Sequence, residues 1–227
     1  MQIIGRQRAH VASVLDYGCG DGFTGEAVQA RFHARSLVGV DVHLPPEACG
    51  TRTTAAGTLE LLRDDANLGE RRFELVLLCD VIEHVEEDAD LMSRVVNRWL
   101  APGGLVLVTV PAFQTLFSAH DHALKHYRRY DVEGLLHVVR AAGLECIEEG
   151  YLFGSLLPLR VATKIAEELR GAKPEQEHGI GGWTHGSVLS SALTLALELD
   201  NAALLAARRL GLRLPGLTAW ALCKTRS

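Results

Sequence analysis

The tightest constraint in this chain is a short one. The apolar run 12–16 closes on Asp16, and Tyr17-Gly18-Cys19-Gly20-Asp21-Gly22 follows before a helical pattern from Phe23 to Phe32. Such a segment reads as strand, tight turn and helix, because alternate glycines adopt positive φ freely and let backbone approach a ligand closely. The rhythm then repeats. Leu37–Val42 reads as a second strand bearing Asp41 near its end, Pro45 and Pro46 break the chain, and Thr58–Leu62 reads as a third strand. Phe73–Cys79 is a continuous apolar strand, 86–100 has helical period, Ala101–Gly104 is a turn, and Leu105–Val110 is a fifth strand. Uninterrupted apolar strands alternating with helices predict a parallel sheet covered on both faces.

Past Pro111 the pattern changes. Residues 112–130 carry no clean period and are rich in His, Tyr and Arg; a helix is expected at 132–142 and strands at 144–151 and 217–223. The intervening 154–214 stretch is an elaboration, within which 173–186 reads as an exposed loop. At roughly 150 residues per domain, 227 residues make one large domain, or one with such an addition.

The strand-end residues suggest a ligand. A carboxylate only accepts hydrogen bonds, so Asp41 at the end of the second strand suits a grip on the two hydroxyls of a ribose. The dinucleotide fingerprint would need a glycine where Phe23 stands, which disfavours a nicotinamide-dependent oxidoreductase.

Five segments in order carry a resemblance to a known family. Val14-Leu-Asp-Tyr-Gly-Cys-Gly-Asp-Gly22, Val38-Gly-Val-Asp41, Asp65-Ala66, Phe73 through Val85, and Leu100 through Pro111 resemble the motifs of class I S-adenosylmethionine-dependent methyltransferases. The likeness extends to the ubiquinone-pathway O-methyltransferases. It covers residues 11–151 and, more loosely, the last strand. It implies a Rossmann-like, doubly wound, mostly parallel seven-stranded α/β sheet with a helical insertion before the last strand. The core would be 1–153, the insertion 154–214, and 215–227 the returning strand.

The resemblance further implies that Asp16, Gly18, Cys19, Gly20, Gly22, Asp41, Val42, Asp65, Ala66, Cys79 and Asp80 hold the cofactor. Asp65 would accept from the adenine amino group, with Asp64 its competitor, and the Ala66 N–H would be free for a ring nitrogen. On the same resemblance the product would be S-adenosylhomocysteine and the acceptor a small or lipid-like molecule. Oxygen is the expected acceptor atom, nitrogen and carbon stay open, and a non-catalytic adenosylmethionine-binding protein is the rival of another class. Relatives carry one or more helices ahead of the first strand, whereas about ten residues precede it here. The cap would then come from the insertion or a partner chain.

His84, just after the fourth strand, is the candidate base for removing a hydroxyl proton; its plainer reading is a rim histidine that packs or binds substrate. His120, His126, Tyr127 and Arg128 are candidates for positioning a polar or anionic acceptor, with Arg129 and Tyr130 anchoring the same loop. His122 and His126 have i, i+4 spacing but lack a third ligand, so no metal is expected.

Other features narrow the setting. With 23 basic and 28 acidic residues the net charge is −5, against a nucleic-acid partner. The five cysteines form no C-x-x-C pair, and with no signal peptide or spanning segment this suits the cytoplasm. Along 187–209, Ser187, Ser190, Ser191, Thr194, Glu198, Asn201, Arg208 and Arg209 form a narrow polar face with Asp200 outside it. The wide apolar remainder is expected to pack on 154–169, on a second copy through the 187–210 helix, or against lipid as peripheral membrane contact.

Overall fold

The computed structural model describes residues 1–170 and 187–226; the loop expected at 173–186 lies outside them. In chain order the elements are α1 (Gln2–Gly5), β1 (Ser13–Tyr17), α2 (Phe23–Phe32), β2 (Ser36–Val40), β3 (Gly50–Thr53), β4 (Thr58–Leu62) and β5 (Phe73–Cys79). There follow α3 (Asp88–Trp99), β6 (Leu100–Pro111), α4 (Ala119–Ala123), α5 (Val132–Ala141), β7 (Leu144–Leu152), α6 (Leu157–Arg170), α7 (Ser187–Arg209) and β8 (Thr218–Thr225).

The strands form one eight-stranded sheet in the order β3-β4-β2-β1-β5-β6-β8-β7. β4, β2, β1, β5 and β6 run parallel, and β8 pairs antiparallel with both β6 and β7. This is the Rossmann-like arrangement, with one strand more than the seven expected. The extra one, β3, is an exposed antiparallel edge on β4. Its Gly-Thr-Arg-Thr sequence has no apolar residue, so it gives no periodic signal. The turn expected at 101–104 is absorbed into an irregular start of β6, where pairing with β5 shifts register between Phe73 and Leu75.

Period-2 alternation divides the core between the two faces of the sheet. Leu15, Val76, Leu78, Val106 and Val108 share one cluster with Leu91, Val95 and Trp99 of α3 and Leu135 and Val139 of α5. Val14, Leu75, Leu77 and Leu222 share the other with Ile4, Val28 and Phe32, and with Leu205 of α7. In α3 the buried Leu91, Met92, Val95, Val96 and Trp99 repeat every three or four residues, which fixes the face laid on the sheet.

α6 and α7 both lie in the connection from β7 to β8. Of the segment expected to cover it, α7 packs on the Gly154–Leu156 turn, and otherwise on β7 rather than along α6. Asn201 Oδ1 accepts from Phe153 N–H at 2.8 Å, Asp200 accepts from Ser155 N–H, and Leu204 and Leu205 are buried. Leu193, Leu195 and Leu199, one to three turns earlier, stay exposed, as do Leu159, Val161, Ile165 and Leu169 of α6.

Candidate functional site

Strand order reverses between β1 and β5, and in open α/β sheets the crevice at such a switch point, outside the carboxyl ends of the strands, receives ligand. A cleft of about 1340 Å³ lies there. Its walls include Gly18 after β1, Asp41 and Val42 after β2, Asp64 and Asp65 after β4, and Asp80 and His84 after β5.

The glycine turn is shaped for close approach. Gly18 has φ +78°, and a Cβ there would lie 2.5 Å from Val81 Cγ2, so neither the conformation nor the space admits a side chain. Gly22, at φ 84°, starts α2. Asp41 locks this turn to the next: Oδ2 accepts from Gly20 N–H at 2.9 Å and Oδ1 from His43 N–H at 2.8 Å. A carboxylate has about four lone-pair sites, so capacity remains for a diol.

Asp16 is 2% exposed and is not on the cleft wall. One of its oxygens has no hydrogen-bond partner, and it lies where a Cβ on Gly25, in the first turn of α2, would come within 2.7 Å. Burial, aided by Asp41 and Asp21, pushes its carboxyl up to about 7. Such an orphaned acid behind the glycine turn fits the neighbourhood of a cationic cofactor.

Asp65 takes the Tyr17 hydroxyl at 2.7 Å and faces Arg94 at 3.6 Å, while Arg94 also donates to Tyr17 at 3.2 Å. Asp64 caps the following turn by accepting from Ala66 N–H at 2.8 Å, so this N–H is not the free donor expected for adenine. Tyr17 and Arg94 both line the cleft and were not among the candidates. Tyr17 sits inside the glycine motif, where its position alone was a signal; Arg94 gave none, because its helix meets the cleft only in the folded sheet. Cys19 is buried against Gly39, and Cys19, Gly20, Gly22, Ala66 and Cys79 support the rim from outside the cleft lining.

Asp80 holds φ 56°, a left-handed conformation that aspartate tolerates better than most residues. Its N–H donates to Thr109 carbonyl on β6 at 2.9 Å. The turn Ile82–His84 follows. Glu83 is 0% exposed with neither carboxylate oxygen hydrogen-bonded; burial, with Asp80 nearby, pushes it up to about 8. His84 stands on the cleft wall, and partial desolvation of its ring there, together with His126, lowers its pKa, favouring the neutral imidazole.

The 112–130 segment is organised around Asp121, which is 0% exposed. It accepts from Ser118 N–H at 2.9 Å, His126 Nδ1 at 2.9 Å, and Arg129 Nε and Nη2 at 2.7 and 3.1 Å. Burial alone would raise this carboxyl; His126 and Arg129 override it and hold Asp121 well below the usual carboxylate range. Ser118 and Asp121 form a capping box for α4, a signal readable in the sequence as S-x-x-D. Tyr127 N–H donates to Glu83 carbonyl at 2.8 Å, which brings the His126 ring to 4.6 Å from that of His84, edge on.

The acceptor candidates therefore divide. His126 reaches the site corner, against His84. His120 and Tyr127 are exposed and do not line the cleft. Arg128 is committed to Asp88 Oδ2 at 3.0 Å and Glu86 carbonyl at 2.7 Å, and the Tyr130 hydroxyl joins it on Asp88 at 2.7 Å. Its fork thus anchors the loop to α3 instead of facing an anionic acceptor. The cleft wall on this side is Ala123, Leu124 and Lys125 instead. α6 holds the same loop from outside, through Arg160 to Ser118 Oγ at 2.5 Å and Lys164 to Phe117 carbonyl at 2.5 Å.

Known proteins agree with this reading of the fold. A family model described as a methyltransferase domain matches residues 4–149. Among solved structures, the chain is similar to the Haemonchus contortus phosphoethanolamine N-methyltransferase 2 in complex with S-adenosylmethionine, at 18% identity and TM-score 0.54, over 100% of this chain and 52% of that one. It is similar to an S-adenosylmethionine-dependent methyltransferase from Archaeoglobus fulgidus at 16% identity and TM-score 0.52, covering 94% and 86% of the two chains. It also resembles the Burkholderia thailandensis 1,6-didemethyltoxoflavin N1-methyltransferase with bound S-adenosylhomocysteine, at 20% identity and TM-score 0.50, covering 65% and 67%. No curated protein matches by sequence. The chain belongs to the methyltransferase-domain family and is a class I enzyme that uses S-adenosylmethionine.

Proposed function

We propose that the enzyme methylates an oxygen of a small or lipid-like acceptor, with His84 serving the removal of the hydroxyl proton. The observation that carries this reading is a neutral-favouring imidazole on the wall of the cleft whose other wall is the acidic cofactor rim. Gly18, Asp41 and Asp65 are the residues we assign to the cofactor, with Asp16 and Asp80 balancing its positive charges. When bound, S-adenosylmethionine supplies an electrophilic methyl group on a sulfonium. What the protein adds is alignment, since holding two reactants in attack geometry is worth several powers of ten in effective concentration.

The 154–214 insertion supports acceptor recognition indirectly, because Arg160 and Lys164 brace the loop that carries His126. The uncovered leucines and isoleucine of α6 and α7 favour the lipid-like end of the acceptor class. Among the described residues no helix is long and apolar enough to cross a membrane.

A panel of alcohols, phenols and amines incubated with the cofactor, followed by product mass spectrometry, tests the proposal. Methyl ethers are expected; methylation confined to nitrogen or carbon would overturn the oxygen assignment. His84→Ala is expected to lower turnover by roughly 10²–10⁴-fold with S-adenosylhomocysteine binding retained. Normal turnover in that variant removes His84 from the chemistry.

A further inference from the structure

We propose that Glu83, His84 and His126 form a binding site for a first-row divalent cation on the wall of the cleft. One ligand atom of each side chain lies within 4.8 Å of those of the other two. Three ligands about 2.0–2.2 Å from one cation lie roughly 3.3–3.8 Å apart when evenly spread, so side-chain adjustments of up to about an ångström close the set.

Three independent features point to a cation. First, Glu83 is 0% exposed and neither oxygen has a hydrogen-bond partner, an arrangement that costs free energy unless a proton or a cation completes it. Second, His126 gives Nδ1 to Asp121 at 2.9 Å, leaving Nε2 as its free ring nitrogen. A carboxylate behind the imidazole fixes the ring and raises its basicity, as the hydrogen-bond partners of metal-ligating histidines do. Asp121 is held in turn by Arg129, so the ring's setting is rigid. Third, His84 lines the cleft, so coordination positions beyond the three ligands open toward the acceptor. Two imidazoles with one carboxylate favour manganese, iron, cobalt or zinc over magnesium and calcium, which prefer oxygen ligands throughout.

The proposal rests on the methyltransferase reading and refines it. A ligated His84 no longer takes the acceptor proton itself. The cation lowers the pKa of a bound hydroxyl, solvent at the open side receives the proton, and the oxygen is methylated as the sulfonium becomes a thioether.

The test uses the full-length chain, stripped with chelator and titrated with cobalt(II) and zinc chlorides by visible absorption and calorimetry. Wild type should bind one equivalent, with magnesium failing to compete at equal concentration. Asp121→Asn should weaken binding roughly 10–100-fold through loss of the carboxylate that holds His126 Nδ1. Glu83→Gln and His126→Ala should each weaken it more, while His122→Ala, in the same loop, should match wild type. Stabilisation by S-adenosylhomocysteine in every variant establishes that each is folded. Absence of cobalt binding by wild type, or undiminished binding by Glu83→Gln, would overturn the site. Methyl ether products from a protein that binds no cation would sink the cation alone. A bound cation with only nitrogen or carbon products would sink the oxygen reading and leave the cation standing.

Discussion

The two walls of the cleft are built in different ways. The wall we assign to the cofactor is made of strand ends, where residues are placed by backbone: Gly18 by its positive φ, Asp41 by the N–H groups of His43 two residues on and of Gly20 in the adjacent strand-end turn. The wall we assign to the acceptor is made of loop, and its residues are placed by one buried carboxylate, Asp121, and by a helix from the distant insertion. A wall of the first kind fails locally when it is changed. A wall of the second kind fails as a unit, which makes the hub the most damaging place to break it.

Asp121→Ala is therefore expected to have the largest effect, about 3–5 kcal/mol of stability, because it strands the buried Arg129 guanidinium. Urea unfolding measures it; a loss below about 1 kcal/mol would mean the loop is held by something other than this hub. Asp41→Ala should cost about 1.5–3 kcal/mol of S-adenosylhomocysteine binding, roughly 10–100-fold by calorimetry, with little change in unfolding. Gly18→Ala should follow at about 1–2 kcal/mol from its left-handed φ alone, more if Val81 cannot yield. If either cofactor-rim variant unfolds the protein instead, the contrast between the walls fails.

A smaller effect joins insertion to core. Burial would raise Glu149, but hydrogen bonds from Arg208 and Arg213 override it and hold its carboxyl below the ordinary value. A depressed carboxylate contributes stability above its unfolded pKa of about 4.3 and loses it as pH falls through the folded value. The stability gap between wild type and Glu149→Gln should accordingly be full at neutral pH and shrink below about pH 4.5. A gap that instead grows on acidification would show the pair is not what holds α7 down. Smallest of all is Leu199→Ser, at 64% exposure, expected within about 0.5 kcal/mol of wild type. A larger loss, accompanied by a change in elution volume, would reveal that a second copy covers α7.

Much of the fold was legible because its signals are local. The apolar runs at 73–79 and 58–62 coincide with β5 and β4, and the helical periods at 23–32 and 187–209 with α2 and α7. β3 was not legible, since an exposed edge of Gly, Thr and Arg buries nothing and leaves no pattern. On the cofactor side the strand-end acids and glycines announced themselves by type and spacing. On the acceptor side residue type misled: Arg128 looks like an anion receptor, yet its fork is spent on Asp88 and the Glu86 carbonyl.

By itself, then, the sequence determined the sheet and the glycine turn, which follow from backbone conformation and burial over a few consecutive residues, while the cofactor came from the family its motifs resemble. The tertiary structure decided which histidines meet. His122 and His126 share a spacing that suggests a pair, but His122 turns to Phe117 while His126 crosses to His84 and Glu83. That choice is made by Asp121, five residues before His126, and by the Tyr127–Glu83 backbone hydrogen bond, which joins segments on either side of β6 and which no local pattern encodes.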